Sequence, residues 1–123
     1  MCFEVYLVIS AGAPRDHHAI FVETAPDLSG NVFQVTGNIL NGMTYETKVA
    51  KRPEASASFQ DKTLLGSVSH ANYGRIDIEC KKIPSPEKQF DLGKKLYPGV
   101  PLRRCQEWTS RAIAELKRQQ IIS

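Results

Sequence analysis

The chain is poor in the residues that announce familiar chemistries. It has three histidines and three cysteines in 123 residues, and no two cysteines are spaced as CxxC. Zinc sites and disulfide frameworks place their ligands or bridges at recognisable spacings in even numbers. Neither pattern is present, so metal is not expected and the three thiols, Cys2, Cys80 and Cys105, are expected to be reduced. Glycine-rich phosphate loops, GxGxxG fingerprints and paired carboxylates are also absent from the sequence, which leaves nucleotide chemistry without support and implies no cofactor. No apolar run approaches the roughly 20 residues that span a bilayer. The segment from Cys2 to Ile9 is apolar but short, carries Glu4, lacks a basic flank and ends in Ser10-Ala11-Gly12-Ala13-Pro14, so it reads as a strand and turn and not as a secretory leader. These absences together describe a soluble cytoplasmic protein with no membrane span.

What is present is ordinary in amount. Hydrophobic residues make up 41% and charged residues 24%, with a formal charge of +3, which is globular composition. The positive surplus is scattered, so no nucleic-acid partner is demanded. Only the pairs Lys94-Lys95 and Arg103-Arg104 flank a segment of interest, where they either attract an acidic substrate or form a solvated rim. The length suits one domain, residues 1–123.

Hydrophobic periodicity divides the chain into strands followed by helices. Phe3 to Ile9, His17 to Thr24, Val32 to Thr36 and Met43 to Ala50 are rich in β-branched and aromatic residues and are separated by Gly, Asn, Asp, Ser and Pro, the punctuation of strands. The near-continuous hydrophobicity of the first predicts a central position. Pro53 to Gln60 reads as a loop and Thr63 to Ser69 as a fifth strand. Ala71 to Ile83 mixes a two-residue and a helical period and is read as a helix ended by Pro84. Four prolines and two glycines between Pro84 and Pro101 predict an irregular connection. From Arg104 to Gln120, Cys105, Trp108, Thr109, Ala112, Ile113 and Leu116 recur at steps of three and four, which predicts an amphipathic helix. The fold class is therefore α+β: a mostly antiparallel sheet of about five strands packed against a C-terminal helix.

Cys105 falls in the first turn of that helix, where the macrodipole and unpaired N–H groups favour thiolate. A nucleophilic thiol needs a base within reach and a polar group to orient it. Adjacent strand residues point to opposite faces, so His17 and His18 cannot both serve. Gln34, between Phe33 and Val35 on the next strand, is the natural orienter for whichever of the two it lies beside.

His17-His18-Ala19-Ile20-Phe21-Val22-Glu23, followed by Val32-Phe33-Gln34-Val35 and then by Arg104-Cys105-Gln106-Glu107-Trp108, resembles the permuted papain-like thiol hydrolases, the superfamily of NlpC-type peptidases and lecithin:retinol acyltransferase relatives. There a motif like His-Trp-Ala-Ile-Tyr-Val precedes a helix-opening Asn-Cys-Glu-His-Phe. The helix is similar, more closely, to that of small fungal proteins with an Asn-Cys-Gln-Asp-Trp type signature. The resemblance implies a permuted papain-like, NlpC-like fold with Cys105 as nucleophile, His17 as base and Gln34 as orienter. It sets His18 on the motif's aromatic position, and His18, Arg104 and Trp108 are the expected substrate-side residues. Arg104 departs from the asparagine of the motif.

Each residue also has a plain reading. For Cys105 it is an inert core thiol, as Cys2 and Cys80 are structural ones; for His17 a surface histidine kept cationic by Asp16; for Gln34 a side chain that satisfies a backbone group; for Trp108 a core indole. The activity implied is a cysteine-dependent hydrolase or acyltransferase acting on an amide, ester or thioester, with a small-molecule or acyl substrate. The alternatives are a non-catalytic binding or accessory protein on the same fold, and a lyase or isomerase in which the Cys-His pair shuttles protons.

Overall fold

In the computed structural model, residues 1–12 and 16–123 are described. The Ala13-Pro14 part of the first turn signal lies outside them. Five strands, β1 (Cys2–Ser10), β2 (His17–Glu23), β3 (Gly30–Asn38), β4 (Gly42–Ala50) and β5 (Phe59–Ser69), form one sheet in the order β4-β3-β2-β1-β5. Its neighbouring strands pair antiparallel. β1 to β4 are a meander. β5 instead joins the far edge beside β1, so the connection after β4, with a 3-10 turn at Pro53–Ala55, crosses from one edge to the other. The centre of the sheet is thus β2, while β1 lies one strand nearer the edge than its hydrophobicity predicts. Both neighbours of β2 and both of its faces are covered, which is why Ala19 to Val22 are all buried.

Local chemistry sets the turns that fix the register. Asn38 Oδ1 accepts from the amides of Leu40 and Asn41, both at 3.0 Å, an Asx-type closure of the β3–β4 hairpin. That closure pairs Asn38 with Gly42 and, further along, Gln34 with Glu46. Gly30 opens β3 where a side chain has no room: a Cβ there would lie 1.8 Å from the Val22 carbonyl oxygen. β5 starts earlier than the sequence suggests, at Phe59, because its first residues pair with Ser10 and Ile9 of β1.

Helix α1 (Tyr73–Lys82) resolves the mixed periodicity between Ala71 and Ile83. Ile76, Cys80 and Ile83 are buried, whereas Ile78 is exposed, as a helical repeat requires. Ile83 itself is extended, at φ −84° and ψ 121°, because the following Pro84 disfavours the helical region. The stretch from Pro84 to Pro101 is largely irregular as expected, but it holds one short hairpin, β6 (Phe90–Asp91) with β7 (Lys94–Lys95), turned through Leu92 and Gly93 at positive φ. Helix α2 (Cys105–Arg118) follows. Its buried residues Cys105, Trp108, Ala112 and Leu116 join Ile20, Val22, Phe33, Val35, Ile76 and Cys80 in one core cluster between the sheet and the two helices. Among the described residues no helix is long and apolar enough to cross a membrane.

Candidate active site

Helix α2 starts where it does because the preceding segment is held at its backbone. Gln89, only 2% exposed, accepts from the Arg103 amide through Oε1 and donates to the Arg103 carbonyl through Nε2, both at 2.7 Å. Arg104 is then extended, and its amide donates to Glu107 Oε1 at 2.9 Å, the backbone-directed half of a capping box. Cys105 follows as the first helical residue.

The helix is laid along β2 from its first residue. Gln106 Nε2 donates to the Asp16 carbonyl at 3.2 Å, and Thr109 Oγ1 donates to the His18 carbonyl, also at 3.2 Å. Cys105 Sγ is 3.9 Å from the Asp16 oxygen. The thiol therefore sits over the start of β2, where His17 is the first paired residue.

Alternation along β2 puts His18 on the helix-covered face with Ile20 and Val22, and His17 on the other face with Ala19 and Phe21. His17 nevertheless makes a side-chain hydrogen bond with Cys105. Position explains this: β2–β3 pairing runs from Glu23 back to Ile20, so His17 lies towards the end of the sheet, where the helix terminus and the strand meet.

A polar chain leads away from the imidazole. His17 Nε2 is 2.7 Å from Gln34 Oε1, and Gln34 Nε2 donates to Glu46 Oε1 at 2.7 Å. Glu46 determines the sense of the whole chain. An ionised carboxylate only accepts, so the Gln34 amide must turn its NH2 to Glu46 and its oxygen to His17. The amide oxygen likewise only accepts, so Nε2 of His17 carries the proton. In the neutral ring, Nδ1 is then the nitrogen with a lone pair left to take a proton from the thiol.

The electrostatics follow the same contacts. The hydrogen bond to Cys105 is the largest influence raising the His17 pKa above its ordinary 6.5; burial opposes it, and the Gln34 bond and the Glu46 charge add to it. Cys80 is different. Burial first, then Asp77 and Glu79, push its thiol up to about 12, which keeps it protonated and inert. Cys2, Cys80 and Cys105 form no disulfide among the described residues, and Cys2 is exposed.

Two cavities meet at the His17–Gln34 pair. The larger, about 700 Å³, is lined by Cys105, His17, Gln34 and Arg104 and by apolar side chains from the β3–β4 hairpin. The smaller, about 410 Å³, lies on the opposite face, where His17 and Gln34 are joined by Phe21, Val32, Lys48 and Arg52. Of the expected substrate-side residues, Arg104 is on the larger cavity. Trp108 is not a described wall residue of either: its indole is 3% exposed, packs in the core and donates to the Ile83 carbonyl at 3.3 Å. His18, on the helix-covered face of β2, is not a described wall residue of either cavity. Of the basic pairs, Lys94 and Lys95 are exposed on the small hairpin, and Arg103 is 3.3 Å from Glu87. Among the described residues no group of three or more histidine, cysteine or acidic side chains could hold a metal ion.

Glu46 and Gln89 are the site residues that pattern reading missed. Glu46 was within reach, since a hairpin closed between Asn38 and Gly42 puts position 46 opposite position 34. Gln89 was not, because it lies in a segment without periodicity.

A family model described as "Family of unknown function (DUF6540)" matches residues 5–123. No curated protein and no solved structure matches the chain.

Proposed function

The chain belongs to the DUF6540 family, and we propose that it is a cysteine-dependent hydrolase or acyltransferase with Cys105 as nucleophile, His17 as proton carrier and Gln34 as orienter. One observation carries this reading: a single imidazole hydrogen-bonds at once to a thiol at a helix start and to a buried amide whose direction is imposed by Glu46. A nucleophile, its base and a third group that fixes the base are the minimal parts of covalent acyl chemistry. A helix-opening thiol packed on an antiparallel sheet, with its histidine earlier in the chain, also supports the permuted papain-like relationship. Three cysteines without a disulfide among the described residues suit a reducing compartment, the cytoplasm.

In the proposed cycle, proton transfer from Cys105 to His17 gives a thiolate and an imidazolium. The thiolate sulfur attacks the carbonyl carbon of an ester, thioester or amide, and the carbonyl electrons move to oxygen beside the N–H groups that open α2. Collapse expels the leaving group, which takes the proton from His17, and a thioester remains on Cys105. Water or a second substrate, deprotonated by His17, then attacks the thioester and restores the thiol.

The test is intact-mass analysis after exposure to p-nitrophenyl acetate. One acetyl group should appear on Cys105 with a burst of nitrophenol, and Cys105→Ser or His17→Ala should abolish both while keeping the native fold by circular dichroism. A thiol that resists both acylation and iodoacetamide would leave the non-catalytic reading in its place. Rapid alkylation without acylation by any activated ester would favour proton shuttling.

A further inference from the structure

The larger cavity presents one guanidinium that makes no ion pair among the described residues. Arg104 lines it, is half-buried, and stands next to Cys105 in the chain. The neighbouring cations are occupied: Arg103 by Glu87 at 3.3 Å and Lys88 by Asp91 at 3.4 Å. Arg104 forms no ion pair among the described residues. A guanidinium offers donors only, so the backbone N–H groups at the helix start cannot satisfy it. Asp16, the acid on the same wall, receives a hydrogen bond from Gln60 at 3.3 Å. The Gln89 clamp on both polar atoms of the Arg103 backbone holds the segment in place, so the cavity wall keeps its arginine. Val35, Ile39, Leu40, Met43 and Phe90 make the remaining wall largely apolar, with Thr36 and Asn38 among them.

A largely apolar hairpin wall with a guanidinium that lacks an ion-pair partner beside the nucleophile is complementary to an amphiphile. We infer that Arg104 is a specificity-determining residue that receives a substrate carboxylate lying a few bonds from the carbonyl attacked by Cys105, while the apolar part of the substrate rests on the β3–β4 hairpin. The substrate class is an acylated acid, of the N-acyl amino acid or dicarboxylic half-thioester type. The fork of a guanidinium matches a carboxylate with two parallel hydrogen bonds, which a lysine cannot reproduce. This inference deepens the proposed thiol chemistry and rests on it.

Haloacetates supply a direct probe, because iodoacetate and iodoacetamide differ only in the group two atoms from the bond that forms. In both, the thiolate displaces iodide and a sulfur–carbon bond replaces the carbon–iodine bond. The readout is the ratio of the iodoacetate rate to the iodoacetamide rate at Cys105, measured by peptide mass spectrometry, with the exposed Cys2 of the same chain as reference. A ratio, unlike either rate alone, is insensitive to changes in thiolate fraction. The expected ratio at Cys105 is at least about tenfold above that at Cys2, as for one charge-assisted contact, and Arg104→Gln should bring it down to the Cys2 value, with Arg104→Lys between. On the unaltered protein, octanoate should slow iodoacetamide at Cys105 saturably and octanamide should not.

Equal ratios at the two cysteines, or no protection by octanoate, would overturn the inference while leaving the thiol chemistry intact. A Cys105 inert to both reagents would remove the thiol chemistry and this inference together.

Discussion

Replacing Glu46 by glutamine isolates the least obvious part of the site. The carboxylate acts through an intermediary: it accepts from Gln34 Nε2 at 2.7 Å, and Gln34 in turn contacts the imidazole. Its effect is to forbid one of two amide orientations. A glutamine at position 46 can present either an oxygen or an NH2, so Gln34 is freed to turn its NH2 toward His17. His17 would then accept at Nε2 and carry its proton on Nδ1, where it cannot take one from Cys105. The size of the effect follows from the environment. A hydrogen bond to a charged group is worth about 1.5–3 kcal/mol. Gln34 is only 7% exposed, but the Glu46 side chain is 41% exposed with Lys48 at 3.9 Å, which places the loss at the lower end, about 1.5 kcal/mol, or roughly tenfold in rate. The assay is the rate of Cys105 alkylation by iodoacetamide as a function of pH. Glu46→Gln should be roughly tenfold slower near neutral pH, where the thiolate depends on its imidazole partner. It should converge with the unaltered protein well above the ordinary thiol value of about 8.5. An unchanged profile, or a slowing of equal size at every pH, would refute the tautomer argument.

Further outcomes follow from the same contacts. In Cys105→Ala the His17 titration, followed by NMR of the ring C–H, should move down, since the thiol contact is the chief cause of its elevation. The linked stability has a definite sign: a raised histidine pKa stabilises the fold fully below about 6.5 and loses that contribution as pH rises through the folded-state value, so the difference in stability between the unaltered protein and Cys105→Ala should shrink with rising pH across that window. Cys80, buried with its thiol pushed up to about 12, should remain unmodified by iodoacetamide in the folded protein and react only in denaturant, whereas Cys2 reacts at an ordinary rate. Trp108→Ala should cost about 3–5 kcal/mol in urea unfolding, because the indole fills the core between α2 and the sheet; a loss below about 1 kcal/mol would contradict its assignment to the core and return it to the substrate side.

Much of this architecture is readable because it depends on local pattern. The steps of three and four from Cys105 to Leu116 identify one buried helical stripe, and the residues on it are buried except Ile113, which is partly so. Alternation and turn residues locate the four strands of the meander to within a residue or two. The ambiguity at Ala71 to Ile83 could not be settled locally, since Ile76 and Ile78 suit a strand as well as Ile76 and Cys80 suit a helix; packing against α2 and the sheet selects the second pairing. The position of β5 beside β1, and so the rank of β1 in the sheet, depends on a crossover that no local signal specifies.

The sequence by itself determined which side chains were candidates: a thiol at a helix start, two adjacent histidines on a strand, and a glutamine among apolar neighbours. Tertiary structure alone decided that His17 meets the thiol although it starts from the far face of β2, because the contact turns on where β2–β3 pairing ends. It alone decided that Glu46 directs the Gln34 amide and that Arg104 rather than Arg103 lines the cavity. Those are relations between residues distant in the chain or held by distant partners, and they exist only once the register of the sheet and the placement of α2 upon it are fixed.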